Sequence, residues 1–155
     1  MKIGIIVYSH TGNTFSVAEK LEEWLVKAGH SVKIEKVTAD NEDQMEVDRV
    51  QLRGIPDISL YDALIFGSPV RGFSLCAVMT AYLSQIGTLK GKKVFCYLTQ
   101  FFPSPVMGGN RAMEQMKKIC ESKGGKVSEY GIVNWSNLRR GKMIRDITEK
   151  IGGLL

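Results

Sequence analysis

Runs that are apolar at every position alternate along this chain with stretches whose apolar residues recur every three or four positions. Residues 2–8 are dominated by Ile and Val, which suits a strand buried on both faces, as in a parallel sheet. Residues 12–28 carry Ala18, Leu21, Leu25 and Ala28 at helical spacing, and Gly29-His30 stops that helix where glycine commonly does. Residues 31–37 set Val32, Ile34 and Val37 loosely against lysines and Glu35, the pattern of a more exposed strand at or near an edge. Two further apolar strands are expected at 63–67 and 94–98, with a helix at 75–86 between them. An amphipathic helix at 110–123 is built on Ala112, Met113, Met116, Ile119 and Cys120 and ends at Gly124-Gly125. A strand at 127–133 and a helix at 139–151, with Met143, Ile144, Ile147 and Ile151 inward, complete the pattern. Residues 38–59 resist it: they are polar, acidic in their first half, and hold only a weak helical period over 44–51.

Near-strict alternation of apolar strands and amphipathic helices predicts an α/β fold, a five-stranded parallel sheet between two helical layers. At 155 residues the chain reads as one domain, 1–155, able to build a core without metals or disulfides. Ligands in such sheets sit beyond the carboxyl ends of the strands, where the strand order reverses. The loops after residues 8, 67 and 98 are therefore the ones to inspect.

Composition changes this picture little. Hydrophobic residues at 44% and charged residues at 24% are ordinary for a soluble globular protein. The longest apolar run is too short to span a bilayer, and the N-terminus lacks the pattern of a signal peptide, so a cytoplasmic location and no membrane partner are expected. Cys76, Cys96 and Cys120 are widely spaced and lack any CxxC pairing, which reads as small buried hydrophobes rather than a disulfide framework or a metal site. His30, at a helix end, reads as a solvated cap. The net charge of +5 is spread along the chain without interleaved aromatics, so nucleic acid is not an expected partner. An acidic partner protein is the more natural reading of that charge.

The candidate chemistry begins at Ser9-His10-Thr11-Gly12-Asn13-Thr14, between the first strand and the first helix. A helix N-terminus presents unpaired N–H groups and a partial positive charge, so a phosphate bound there needs no lysine. Gly12 permits a sharp turn and close approach. Thr11 or Asn13 as a plain helix cap would explain one polar residue, yet every position from Ser9 to Thr14 is polar or Gly. His10 has no acidic neighbour in the sequence and reads as a loop-surface residue rather than an acid–base catalyst. GxGxxG and GxxxxGK[ST] are both absent, which leaves a dinucleotide Rossmann site and a P-loop unsupported.

The strand and its HTGNT continuation resemble the phosphate loop of the flavodoxin family, S/T-x-T-G-N-T. Two later loops extend the likeness. Gly67-Ser68-Pro69-Val70-Arg71-Gly72-Phe73 is similar to the family's loop after the third strand, and Thr99-Gln100-Phe101-Phe102-Pro103 stands where its second flavin-flanking loop would lie. Gly108-Gly109-Asn110 then opens the following helix. The resemblance covers nearly the whole chain and implies strand order 2-1-3-4-5 and FMN as cofactor. It implies cofactor-binding roles for Ser9, His10, Thr11, Gly12, Asn13 and Thr14, for Ser68, Pro69, Val70, Arg71, Gly72 and Phe73, and for Thr99, Gln100, Phe101, Phe102, Gly108 and Gly109. Phe73, Phe101 and Phe102 are either walls for a flat ring or ordinary packing, and Trp135 is a further candidate for the same rim. Arg71 stands where many relatives carry Trp or Tyr; it is either a contact to the flavin or a solvated charge. The chain is basic where family electron carriers are usually acidic.

Three functions remain open on these residues. One is an FMN electron carrier that serves redox partner proteins. Another is an FMN-dependent NAD(P)H:quinone or flavin reductase, with Arg71 or Arg139-Arg140 receiving a cofactor phosphate. The third is a flavin-free binding domain that keeps only the fold. The absence of a long insertion over the site favours the carrier.

Overall fold

The computed structural model describes residues 1–155. The expected strands and helices all form: β1 (Lys2–Val7), α1 (Asn13–Lys27), β2 (Ser31–Lys36), β5 (Ala63–Arg71), α2 (Ala77–Gln85), β7 (Lys93–Gln100), α3 (Gly109–Ser122), β8 (Val127–Asn134) and α4 (Arg140–Gly153). Between β2 and β5 lie two short strands, β3 (Thr38–Ala39) and β4 (Leu52–Gly54), and after β5 comes β6 (Ser74–Leu75).

The main sheet runs β2-β1-β5-β7-β8 with every neighbouring pair parallel. Its five principal strands thus follow the expected order 2-1-3-4-5. Because side chains alternate across a strand, each strand feeds two cores. Ile3, Ile5 and Val7 meet Leu21 and Leu25 of α1 and Ile147 and Ile151 of α4 on one face. Ile6, Leu64, Phe66 and Leu98 meet Met79 and Leu83 of α2 and Met113 and Met116 of α3 on the other. All three cysteines are buried and free. The edge strands β2 and β8 are the ones with alternating exposure.

Residues 38–59 do not form the short helix suggested over 44–51. They make the antiparallel β3–β4 pair and a single 3-10 turn, Val47–Arg49. Asn41 holds this arm together, donating to the Arg49 carbonyl (2.7 Å) and accepting from the Gln51 N–H (2.8 Å). An arm stitched by one side chain across ten residues leaves no period to read. His30 also differs from the solvated cap: its ring is half-buried and Nδ1 has no hydrogen-bond partner.

Candidate functional site

The chain order reverses between β1 and β5, and there the loops after β1, β5 and β7 converge on one cavity of about 200 Å3. His10, Thr11, Asn13, Pro69, Val70, Arg71, Thr99, Gln100 and Phe101 line it. The lining includes one permanent cation and no carboxylate, a donor set suited to an anion.

The first loop is anchored from within. Ser9 Oγ accepts from the N–H groups of Gly12 (3.1 Å) and Phe15 (3.2 Å), so its hydroxyl is turned into the loop. Gly12 stands at φ 95°, a left-handed conformation at the N-cap that a side chain would strain. The backbone N–H groups of His10, Thr11, Asn13 and Thr14 have no acceptor within the protein. They are the orphan donors of the helix start, gathered at the dipole's positive end.

Thr14 is placed differently from its neighbours. Its side chain is 1% exposed and its hydroxyl pairs with that of Thr99 at 2.8 Å. Tyr97, buried in the sheet, donates to the Thr14 carbonyl at 2.7 Å. Thr14 therefore ties α1 to β7, and only its N–H is free to face the cavity. Sequence reasoning missed Tyr97; the signal was a lone phenol in the run VFCYL. Its ring fits because β5 carries Gly67 opposite, where a Cβ would collide with it.

The second loop is a hairpin rather than an open turn. β5 runs on to Arg71 and pairs with Ser74-Leu75, and Gly72 and Phe73 both take φ 60°, the backbone of a two-residue type I′ turn. Ser68 lies below the cavity, buried, with its hydroxyl 3.1 Å from Cys76 Sγ; burial pushes that thiol up. Arg71 is not a solvated charge. Its side chain is 23% exposed, it donates to the Glu42 carbonyl (2.9 Å), and it pairs with Asp43 (3.5 Å). Arg71 thus ties the 38–59 arm to the cavity wall. The Tyr8 hydroxyl nearby is buried without a hydrogen-bond partner, and burial, with Glu42 adding to it, pushes the phenol up to about 12.

The third loop turns on Gln100. Its Nε2 donates to the Ser104 carbonyl (2.6 Å) and to Asn134 Oδ1, while Oε1 is buried with no partner. The N–H groups of Trp135 and Ser136 reach the carbonyls of Gln100 (2.7 Å) and Phe101 (3.1 Å). Asn134 was also missed by sequence reasoning, although a polar residue ending an apolar strand marked it. Phe102 stacks on Phe73 with centroids 5.5 Å apart and planes 10° apart, and Phe101 meets Phe102 edge-on. All three are exposed, Phe101 by 73%. Gly108 and Gly109 do not line the cavity. Gly108 packs against the Phe73 backbone and Gly109 against the Gln100 amide. Trp135 packs against the α1–α4 core beneath the Arg140 guanidinium, 4.6 Å from its ring.

No family model and no curated protein sequence matches the chain. Solved structures do. Oxidised flavodoxin 2 from Bacillus cereus superposes with a TM-score of 0.70 at 18% identity, covering 100% of both chains. The Fusobacterium nucleatum flavodoxin bound to flavin mononucleotide gives 0.65 at 20% identity, over 99% of this chain and 98% of that one. Two-electron reduced Megasphaera elsdenii flavodoxin gives 0.66 at 23% identity, over 97% and 98%. With the strand order and the loop positions above, these likenesses establish that the chain has the flavodoxin-like fold.

Proposed function

We propose that the protein binds FMN in the cavity between the three loops and serves as an electron carrier between redox proteins. The observation that carries this reading is the set of orphan N–H groups at His10, Thr11, Asn13 and Thr14, where α1 begins beside a cavity without carboxylates. Each hydrogen bond to a charged oxygen contributes about 1.5–3 kcal/mol, so this cluster holds a phosphate monoester without a lysine. Arg71 borders the cavity on the opposite wall, its charge shared with Asp43. Gln100 Oε1, buried and unpaired, is an acceptor awaiting a donor. Phe101, Phe102 and Phe73 offer a flat apolar surface beside them, which suits an aromatic ring system. FMN supplies the redox chemistry when bound; the protein supplies the grip, the orientation and the polarity around it.

The likeness to flavodoxins, one of them described as bound to flavin mononucleotide, supports the same reading. Of the three arginines that the reductase alternative could use, two are engaged and Arg139 forms no ion pair. Arg71 is engaged by Asp43, and Arg140 donates to the Trp135 carbonyl while covering its ring. No helix is long and apolar enough to cross a membrane, and three buried free thiols fit a reducing compartment, in keeping with a cytoplasmic carrier. The test is spectral. The purified protein should titrate with FMN to a saturable, flavin-quenched complex. NAD(P)H alone should leave its visible absorbance intact, whereas bleaching at turnover rates would make it a reductase. Failure to bind FMN would leave only the fold.

A further inference from the structure

The charges flanking the cavity are distributed unequally. On the 38–59 side, Asp40 pairs with Arg53, Asp43 with Arg71 and Glu46 with Arg49, while Glu42, Asp48 and Asp57 form no ion pair, so that arm is acidic. On the other side, residues 101–112 and 130–145 contain Arg111, Arg139, Arg140, Lys142 and Arg145 and no acid, with Glu114, Glu129 and Asp146 just beyond their ends. None of these five side chains forms an ion pair. The two segments are joined in space: Asn137 Nδ2 donates to the Pro103 carbonyl (3.2 Å), next to the Ser136–Phe101 bond. Exposed apolar residues stand among the unpaired cations. Leu138 is fully exposed, and Phe101 and Val106 nearly so.

We propose that this face, centred on Phe101, Val106 and Leu138 and edged by Arg139 and Lys142, docks an acidic protein whose contact surface has an apolar centre ringed by carboxylates. The proposal deepens the electron-carrier reading, and rests on it, by naming the chemistry of the partner. An apolar centre with a charged rim is the anatomy of a protein interface, and cations that form no ion pair attract a carboxylate surface and orient its approach. The cavity-lining Phe101 belongs to both features, so a partner seated here abuts the site. The aromatic residues lie in one cluster rather than spaced among the cations, which favours a protein over a single strand of nucleic acid.

The experiment uses the purified full chain with FMN added, and oxidised plant-type [2Fe–2S] ferredoxin as an acidic probe in calorimetric titrations. Saturable binding is expected at roughly 20 mM salt, weakening at least about tenfold at roughly 300 mM as the charges are screened. Arg139→Glu with Lys142→Glu should weaken it about tenfold or more, and Leu138→Ser by a few-fold. Asp48→Lys, on the opposite arm, should leave it within about twofold. The proposal is overturned if ferredoxin does not bind at low salt, or if the double charge reversal leaves its affinity unchanged. It is equally overturned if basic cytochrome c, poly(U) or phosphatidylglycerol vesicles bind more tightly than ferredoxin at equal ionic strength. Flavin absorbance after gel filtration of the same samples reports on the carrier reading separately. Docking without retained flavin removes that reading alone, and retained flavin without docking removes only the partner proposal.

Discussion

The loop after β1 and the loop after β7 face one cavity and are built on opposite plans. The first turns its side chains inward, with Ser9 Oγ closing on Gly12 and Phe15, Thr14 on Thr99, and Tyr97 reaching up from the sheet. What it leaves beside the cavity is His10, Thr11 and Asn13 with their unpaired N–H groups. The second turns its polar groups inward through Gln100 and Asn134 and shows apolar rings instead. The difference separates two tasks. A backbone surface fixed by buried hydrogen bonds is rigid and suits a small anion; exposed rings are adaptable and suit a flat ligand or a partner.

That contrast can be broken at its base. Gly67→Ala would drive a methyl group into the Tyr97 ring, and neither central strand can yield. We expect a loss of about 3 kcal/mol or more, or failure to fold, by urea denaturation. Thr99→Val should cost about 2 kcal/mol in the same measurement, because it leaves the buried Thr14 hydroxyl without its partner. Gly12→Ala meets no neighbour within 4 Å, so its cost is conformational alone. About 1 kcal/mol of stability is expected, with FMN affinity about tenfold weaker by fluorescence titration as the turn relaxes.

The smaller effects sharpen the same contrast. Tyr8→Phe deletes a buried hydroxyl that has no partner and should be neutral or stabilising by about 1 kcal/mol at neutral pH. Its folded pKa, raised from 10.0 to about 12, also sets a sign. The neutral phenol contributes stability fully present below pH 10.0 and lost as pH rises through about 12, and Tyr8→Phe should reduce that alkaline loss in denaturation curves recorded across the window. Phe102→Ser, on the exposed rim, should change stability by no more than about 0.5 kcal/mol. A larger cost would mean that the rim is a packed part of the core and that the division of tasks is wrong.

Most of the fold was legible in the sequence, because continuous Ile and Val runs and helical spacing depend on neighbours in the chain. The SHTGNT loop was legible for the same reason: a turn and a helix start are local. The role of Thr14 was not, since its partner Thr99 lies 85 residues away. Nor was the extension of β5 to Arg71, which depends on Phe73 accepting a positive φ that Phe rarely adopts. The engagement of Arg71 with Glu42 and Asp43 required an arm whose structure hangs on Asn41. The Thr14 and Arg71 misses are long-range contacts made by single side chains, and the β5 extension is a rare local backbone conformation.

The orphan N–H groups have a consequence for how such a protein can drift. A donor that belongs to the peptide unit survives nearly every amino-acid replacement at its own position and is lost only when the turn itself changes. Side chains around such a loop can therefore change while the peptide donors stay in place. At 18% identity, the whole-chain superposition on a flavodoxin shows one fold carried by largely different side chains.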